Sequence, residues 1–248
     1  MGKSASFDSS KKTKFAQNLH TLMLKYLGHS CFSIEINGKN LIIDPFITGN
    51  PLASHIDIQS LKADYILVSH GHGDHIADCV ELAKITNAKV ISNHEIITWL
   101  NSFGVEGIAM NQGGSLFLEF GTVKMVYAAH SSSFPDGSYA GHSNGFVIWN
   151  SDLCFYFAGD TALSMEMKLL PLTCPKLDFA ILPIGDVFTM GVDDALIASQ
   201  FCEVDTIIAA HFDTFPPIQL DHLVAEKKFK SNSKRLIIPK IGETINWK

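Results

Sequence analysis

The sequence predicts an α/β protein in which two β-sheets lie face to face and helices cover their outer surfaces. Apolar runs with strand character alternate along the chain with segments of helical periodicity. Two of the runs, 179–183 and 207–210, are almost entirely apolar, which is typical of strands covered on both faces. The 248 residues are 46% hydrophobic, enough for one large domain with a well-filled core or for two small ones.

Each element follows from its local pattern, taken in chain order. Apolar or alternating runs predict strands at 23–27, 31–37, 40–43, 65–69, 89–92, 107–110, 115–119, 122–128, 144–150, 153–158, 178–183, 206–210 and 235–238. Asn37-Gly38 between two of these runs predicts a hairpin turn. Apolar residues at helical spacing predict helices at 74–86, 94–103, 161–170, 192–202 and 218–230.

Composition and charge exclude several classes of protein. A net charge of −6 and the lack of a Lys/Arg stripe argue against a nucleic-acid partner. No apolar run approaches the ~18–20 residues that cross a bilayer, and no signal-peptide core is visible, so we expect no membrane partner. The five widely spaced cysteines suit buried free thiols in a reducing compartment, which predicts a cytoplasmic protein. Residues 1–22 are polar and lack periodicity, which predicts a flexible tail before a folded unit at 23–248. The oligomeric state stays open, a homo-oligomer included.

The heptapeptide Ser69-His-Gly-His-Gly-Asp-His75 is the most informative segment of the chain. It places His70, His72, Asp74 and His75 on a turn between an apolar strand and a helical pattern. Glycines at 71 and 73 let the backbone bend so that alternate side chains converge. Neutral imidazoles and a carboxylate at close quarters are suitable ligands for zinc and neighbouring transition metals.

Three later strands end on residues of the same chemistry. The strands predicted at 122–128, 153–158 and 206–210 are followed by His130, Asp160 and His211. Residues just past strand ends share one rim of a sheet, where functional sites are commonly built. The alternative for Asp160 is a helix cap at the start of the segment 161–170.

On the signature His-x-His-x-Asp-His and these three residues, the chain resembles the metallo-β-lactamase-fold hydrolases over residues 23–241. The resemblance implies an αβ/βα sandwich of two mixed sheets flanked by helices, with two divalent metal ions at one edge. It implies that His70, His72 and His130 hold the first metal, that Asp74, His75 and His211 hold the second, and that Asp160 bridges both. Zinc is the first choice of metal, and manganese and iron are the alternatives.

Three further strings, at 26–32, 41–46 and 185–191, resemble the uncharacterised metal-dependent hydrolases related to ascorbate-6-phosphate lactonase. The substrate-side elements are too divergent for a substrate to be transferred from this resemblance. Two divalent cations that share a bridging hydroxide are suited to hydrolysis, so we expect a hydrolase that attacks a small ester, lactone or phosphoester. Asp74 would ligate and orient that hydroxide. The leaving group would take its proton from His29 or from a water on the second metal.

Two residues near these motifs have open roles. Asp44 is expected to brace the heptapeptide loop through hydrogen bonds, whereas Asp186 is either a turn residue or a carboxylate that faces the site.

The alternative function is that of an iron-dependent oxidoreductase of the same fold, of the persulfide dioxygenase type. A third alternative, an inert scaffold, is disfavoured because such chains typically lose ligands and this one has all seven.

Overall fold

The structure is a computed structural model, and it describes residues 22–247. The predicted N-terminal tail lies outside the described residues except for Leu22, which already belongs to the first strand. Within residues 22–247 every helix falls short of the length and apolar character that crossing a bilayer requires, and the two longest α-helices have ten residues each.

The two predicted sheets are present, each with seven strands. The first sheet has the order β14-β1-β2-β3-β4-β5-β6 and the second β13-β12-β11-β10-β9-β8-β7. The strands are β1 (Leu22–Gly28), β2 (Cys31–Ile36), β3 (Lys39–Ile43), β4 (Tyr65–Leu67), β5 (Lys89–Asn93), β6 (Gly107–Met110), β7 (Ser115–Leu118), β8 (Gly121–Tyr127), β9 (Asn144–Trp149), β10 (Cys154–Phe157), β11 (Phe179–Pro183), β12 (Thr206–Ala210), β13 (Arg235–Ile237) and β14 (Thr244–Trp247).

Local sequence explains the antiparallel part of the first sheet. Strands β2 and β3 form a hairpin at Asn37 and Gly38, whose φ angles of 50° and 72° are those of the predicted turn. Strand β14 was not predicted, although Ile245 and Trp247 alternate with polar residues. A segment of four residues, of which only Ile245 and Trp247 are partly buried, gives a weak signal. Pairing with β1, for example Ile245 with Leu24, makes this segment a strand.

The helices differ from prediction in three places. They are α1 (Gly73–Ile76), α2 (Cys79–Thr86), α3 (His94–Asn101), α4 (Leu170–Thr173), α5 (Val192–Phe201) and α6 (His222–Ser231). The helix predicted at 74–86 is broken before Cys79 because the carboxylate of Asp78 accepts hydrogen bonds from the backbone N–H groups of Ile47 and Thr48. This contact anchors the loop after β3 to the start of α2.

The helices predicted at 161–170 and 218–230 also differ from the structure, because both begin later than expected. In the segment predicted at 161–170, a short 3-10 helix begins at Met165 and α4 follows it, with Ser164 as the capping side chain. Asp160 therefore does not cap a helix, and the alternative role considered for it is wrong. The segment predicted at 218–230 contains a 3-10 turn at Pro216–Ile218, and α6 begins only after Asp221, which caps it.

The apolar core lies in two layers. Between the sheets, the rings of Phe155 and Phe179 stack with centroids 5.0 Å apart, and Phe32 of the first sheet contacts Phe157 of the second. A second layer lies on the outer face of the first sheet under α2 and α3. Of the cysteines, four are buried free thiols, as predicted, and Cys174 is partly exposed. The α/β sandwich predicted from the sequence is confirmed.

Strand directions bring the candidate ligands to one edge. Strands β3 to β6 run parallel to one another, and so do β10 to β13. Strands β8 and β10 also point the same way, because each pairs antiparallel with β9. The segments that follow β4, β8, β10 and β12 therefore emerge on a shared edge of the sandwich.

Candidate metal centre

The heptapeptide forms the turn between β4 and α1, and close approach of a second loop requires its first glycine. A Cβ atom on Gly71 would lie 2.3 Å from the Cβ of Ala140 and 3.1 Å from the carbonyl oxygen of Ser133. A side chain at position 71 would therefore push away the loop that follows His130. The glycine allows the two loops to meet, which brings His130 to the turn.

The first histidine cluster consists of His70, His72 and His130. One ring nitrogen of each lies within 4.8 Å of the others, and His70 Nε2 lies 3.0 Å from His72 Nδ1. Burial lowers the pKa of all three imidazoles, that of fully buried His70 the most. The three rings are therefore neutral at pH 7 and offer lone pairs to a cation.

The second cluster contains His29, Asp74, His75 and His211, each with one ligand atom within 4.8 Å of the others. Three of these were predicted to share a metal, and His29 was predicted to be a proton donor. The His29 ring lies 4.1 Å from the His211 ring, centroid to centroid, and its Nε2 is 3.2 Å from Asp74 Oδ2. The structure thus brings all the predicted site residues to this edge, in two adjacent groups.

Asp160 lies between the two clusters. Its Oδ2 atom is 3.0 Å from His211 Nε2 and 3.2 Å from His75 Nε2, and 3.7 Å from His130 Nε2. Burial alone would raise the pKa of Asp160, but the imidazoles of His75 and His211 hold it well below its usual range. A buried carboxylate with one oxygen facing both clusters has the placement of a bridging ligand.

Asp44 braces the loop as predicted. It is fully buried and accepts hydrogen bonds from the backbone N–H of Ser69 at 2.7 Å, the Ser69 hydroxyl at 2.6 Å and His75 Nδ1 at 2.8 Å. Because the Ser69 hydroxyl donates to Asp44, its oxygen accepts from His70 Nδ1, 2.9 Å away. With both Nδ1 atoms engaged in this way, Nε2 is the atom of His70 and of His75 that faces the clusters, where a bound cation would take the place of any proton on it.

The same centre contains polar groups that the protein leaves unpaired. Among the described residues, His75 Nε2, His211 Nδ1 and Asp160 Oδ1 are buried and make no well-aligned hydrogen bond, although His75 Nε2 lies 3.2 Å from Asp160 Oδ2. Burial would lower the pKa of His75, but the carboxylates of Asp160 and Asp44 raise it well above the ordinary value. Unpaired buried groups of this kind are costly unless a cation satisfies them, so the residues present fit divalent metal ions.

His29 is held by a residue that the sequence did not single out. Burial lowers the pKa of His29 to about 4, and the hydrogen bond to His29 helps to hold the Asp74 carboxyl ionised, with its pKa below the usual range. The proton between neutral His29 and ionised Asp74 must therefore lie on Nε2, so His29 Nδ1 accepts from the Thr214 hydroxyl, 3.0 Å away. These two residues are 185 positions apart, and no local signal joins them.

Asp186 is a turn residue. Its φ angle is 63°, its backbone carbonyl accepts from Phe188, and its Oδ1 accepts from the backbone N–H of Val187 at 2.7 Å. It belongs to neither group of metal-competent side chains. Of the two roles left open by the sequence, the structure supports the turn.

Two facing mixed sheets with a His/Asp centre on their shared edge define the metallo-β-lactamase fold. The family model described as "Beta-lactamase superfamily domain" matches residues 23–211, and the chain belongs to this superfamily. Within it, the chain is a member of the UPF0173 metal-dependent hydrolases. It is 52% identical over 224 residues to such a protein from Flavobacterium johnsoniae, covering 90% of this chain and 99% of the relative.

Two further comparisons agree with this assignment. A UPF0173 metal-dependent hydrolase from Christiangramia forsetii is 50% identical over 225 residues, covering 90% of this chain and 99% of the relative. The solved structure of Igni18, described as a novel metallo hydrolase from Ignicoccus hospitalis, superimposes with a TM-score of 0.83 at 34% identity, covering 92% of this chain and 99% of that one. The protein is thus a metal-dependent hydrolase. The relation to ascorbate-6-phosphate lactonase stays a prediction.

Proposed function

We propose that this protein is a dinuclear metallohydrolase that cleaves a small ester, lactone or phosphoester. His70, His72 and His130 would hold one divalent cation, and Asp74, His75 and His211 the other, with Asp160 shared between them. Zinc is the first choice, and manganese and iron also accept this donor set. The buried free thiols support action in the reducing cytoplasm.

The position of Asp160 is the observation that supports two cations rather than one. A carboxylate oxygen within 3.0–3.7 Å of imidazoles from both clusters can contact two ions at once. Two-metal hydrolytic sites place their ions roughly 3.5–4 Å apart, a separation that one carboxylate spans. Such a pair, when bound, would lower the pKa of a water between them and polarise the bond to be cleaved.

Two residues of the second cluster, Asp74 and His29, would orient the attacking water and assist the leaving group. Asp74 is ionised and partly exposed, so it can ligate and also accept a hydrogen bond that orients the attacking water. His29 has its proton on Nε2, on the side of the ring that faces the cluster. Because a neutral imidazole can give up a proton only when it gains another, His29 would relay to the leaving oxygen the proton that the attacking water releases. The Thr214 hydroxyl holds the ring in this orientation through its hydrogen bond to Nδ1, on the opposite side of the ring.

The test combines metal analysis with an activity screen. Purified protein should contain about two equivalents of divalent metal by elemental analysis, and it should hydrolyse members of a panel of carboxylic esters, lactones and phosphodiesters. His72→Ala should lose metal and activity together, because its ring belongs to the first cluster. His55→Ala, which removes an exposed imidazole from outside the clusters, is the matched control and should keep both.

Other results would contradict the proposal. A single equivalent of metal in fully active enzyme would remove the bridging role of Asp160. Oxygen consumption by iron-loaded protein with a persulfide substrate, without hydrolysis of any ester, lactone or phosphodiester, would favour the oxidoreductase that the sequence left as the alternative.

A further inference from the structure

The loops around the metal centre carry no Lys or Arg side chain. We define the rim as the segments that follow β3, β4, β8, β10, β11 and β12, namely 44–57, 68–78, 128–143, 158–165, 184–191 and 211–224. All 19 Lys and Arg residues of the chain lie outside these segments, whereas nine aspartates lie within them. Proteins recognise phosphate and carboxylate groups chiefly with Arg and Lys, so the rim lacks the side chains that most often bind an anionic substrate.

Two of the lysines that lie close to the rim in sequence are engaged elsewhere. Lys168 lies over the ring of Phe201, with its Nζ 4.3 Å from the centroid. Lys228 pairs with Asp193. Within the rim segments themselves, a second anionic group on a substrate would therefore meet aspartates and no Lys or Arg, an arrangement that disfavours it.

The rim instead exposes apolar side chains. Val187, Phe188 and Met165 have 64%, 53% and 64% of their surface exposed, large fractions for such residues. Val187 also has a φ of 58°, which is uncommon for a β-branched residue and sparsely allowed. Exposing an apolar side chain in such a conformation does not serve stability, and strain of this kind clusters at functional sites.

Contacts place these side chains next to the centre. The loop 184–191 is tied to the residue after Asp160, because Met190 N–H donates to the Thr161 carbonyl at 3.0 Å. At its other end, Gly185 lies against the carbonyl oxygen of His211, where a Cβ atom would come within 2.0 Å. The loop tip thus stands beside residues that adjoin two candidate ligands.

A second apolar wall lies around His29. The rings of Phe46 and Phe215 have centroids 5.7 Å and 5.4 Å from that of His29, both edge-on, and 6.4 Å from each other. The candidate proton donor therefore sits among aromatic rings, and the loop tip at Val187 and Phe188 lies on the same edge. Apolar contacts of this kind favour an apolar group on the substrate.

We propose that the substrate is a neutral carboxylic ester or lactone whose acyl part is apolar and contacts Phe188 and Val187. This inference rests on the proposed function. In the reaction, water adds its oxygen to the carbonyl carbon and releases one proton, the acyl C–O bond breaks, and the alcohol leaves with that proton, relayed by His29. The acid product carries the water oxygen and the other water proton, and His29 ends in its starting form.

A matched substrate pair tests the inference in the metal-loaded enzyme. The p-nitrophenyl esters of acetate and hexanoate differ in chain length, and the mono-p-nitrophenyl ester of adipate has the length of hexanoate with a carboxylate at its end. Each methylene that is buried adds about fourfold in binding. We therefore expect kcat/KM for hexanoate to exceed that for acetate, and that for the adipate half-ester, by at least about tenfold each.

A variant and its control assign this preference to the rim. Phe188→Ala should raise KM for hexanoate several-fold and leave kcat/KM for acetate nearly unchanged. Phe117→Ala removes an equally aromatic side chain that is 81% exposed and lies beside Thr122, at the end of β8 far from His130. This control should match the wild type on every substrate.

The outcomes separate this inference from the proposed function. Faster hydrolysis of the adipate half-ester, or cleavage of bis-p-nitrophenyl phosphate alone, would overturn the apolar substrate and leave a hydrolase. No hydrolysis by protein with two bound metals would overturn both. A change of oligomeric state in Phe188→Ala with KM unchanged would assign the patch to self-association and overturn the inference.

Discussion

Asp44 orients candidate metal ligands by hydrogen bonds to the ring nitrogens and loop atoms that face away from the metal centre. The substitution Asp44→Asn tests how much of the affinity for metal depends on these hydrogen bonds. Asparagine has the same shape but only one acceptor oxygen. If that oxygen accepts from the backbone N–H of Ser69, the amide NH₂ faces the Ser69 hydroxyl and His75 Nδ1, which both donate to Asp44 at 2.6 Å and 2.8 Å. The expected response is that Nδ1 of His75 loses its proton and accepts from the amide, so that the remaining proton stays on Nε2 and hinders metal binding there.

The size of the effect follows from the two hydrogen bonds that are lost. Hydrogen bonds to a buried charged group contribute about 1.5–3 kcal/mol each, so the metal-free protein should lose about 3 kcal/mol or more of unfolding free energy. Residues that orient metal-bound histidines are worth about 10- to 100-fold in metal affinity. We expect the dissociation constant of the metal to rise by that factor, measured by competition with a chromophoric chelator.

Asp78→Asn is the matched control. Asp78 is a buried aspartate that also accepts several hydrogen bonds, from the backbone N–H of Ile47 at 2.5 Å and the backbone N–H of Thr48 at 2.9 Å. These bonds join it to the loop after β3 and to no candidate ligand. This variant should lose stability in urea unfolding and keep the metal affinity of the wild type. If the two variants lost metal affinity equally, the loss would reflect general destabilisation, and the argument for histidine orientation would be refuted.

Three other perturbations address the second cluster. His29→Ala should keep both metal equivalents and lower kcat by about 10²- to 10⁴-fold; metal analysis beside steady-state kinetics checks this, and loss of one equivalent would make His29 a ligand. Thr214→Val removes the hydroxyl 3.0 Å from His29 Nδ1, so kcat should fall about fivefold, the equivalent of one hydrogen bond of about 1 kcal/mol. Thr214→Ser should restore the rate, and equal rates in all three proteins would count against the orienting role. Gly185→Ala places a Cβ atom against the His211 carbonyl oxygen, so it should lower both the melting temperature and the metal content. A Gly185→Ala variant that binds two metals normally would show that the loop can move to accommodate the Cβ atom.

The architecture could be predicted because its signals are local. Runs such as 179–183 need no distant partner to reveal that they are buried strands, and the two sheets with outer helices follow from their number and order. Predictions failed where a contact between distant segments decides the conformation. The carboxylate of Asp78 accepts hydrogen bonds from the backbone at 47–48 and interrupts a helical pattern. The segment Thr244–Trp247 forms a strand because it pairs with the free edge of β1.

The same division holds at the metal centre. By itself the sequence determined which side chains can bind metal, because the heptapeptide holds four of them at fixed spacing and three strands end on the others. Only the tertiary structure decided how they are oriented and what surrounds them: the hold of Asp44 on two histidines, the contact between Thr214 and His29, and the apolar rim beside Phe188. The physical reason is that ligand identity is a property of residue type, whereas tautomer, orientation and substrate contacts depend on distances between atoms far apart in the chain.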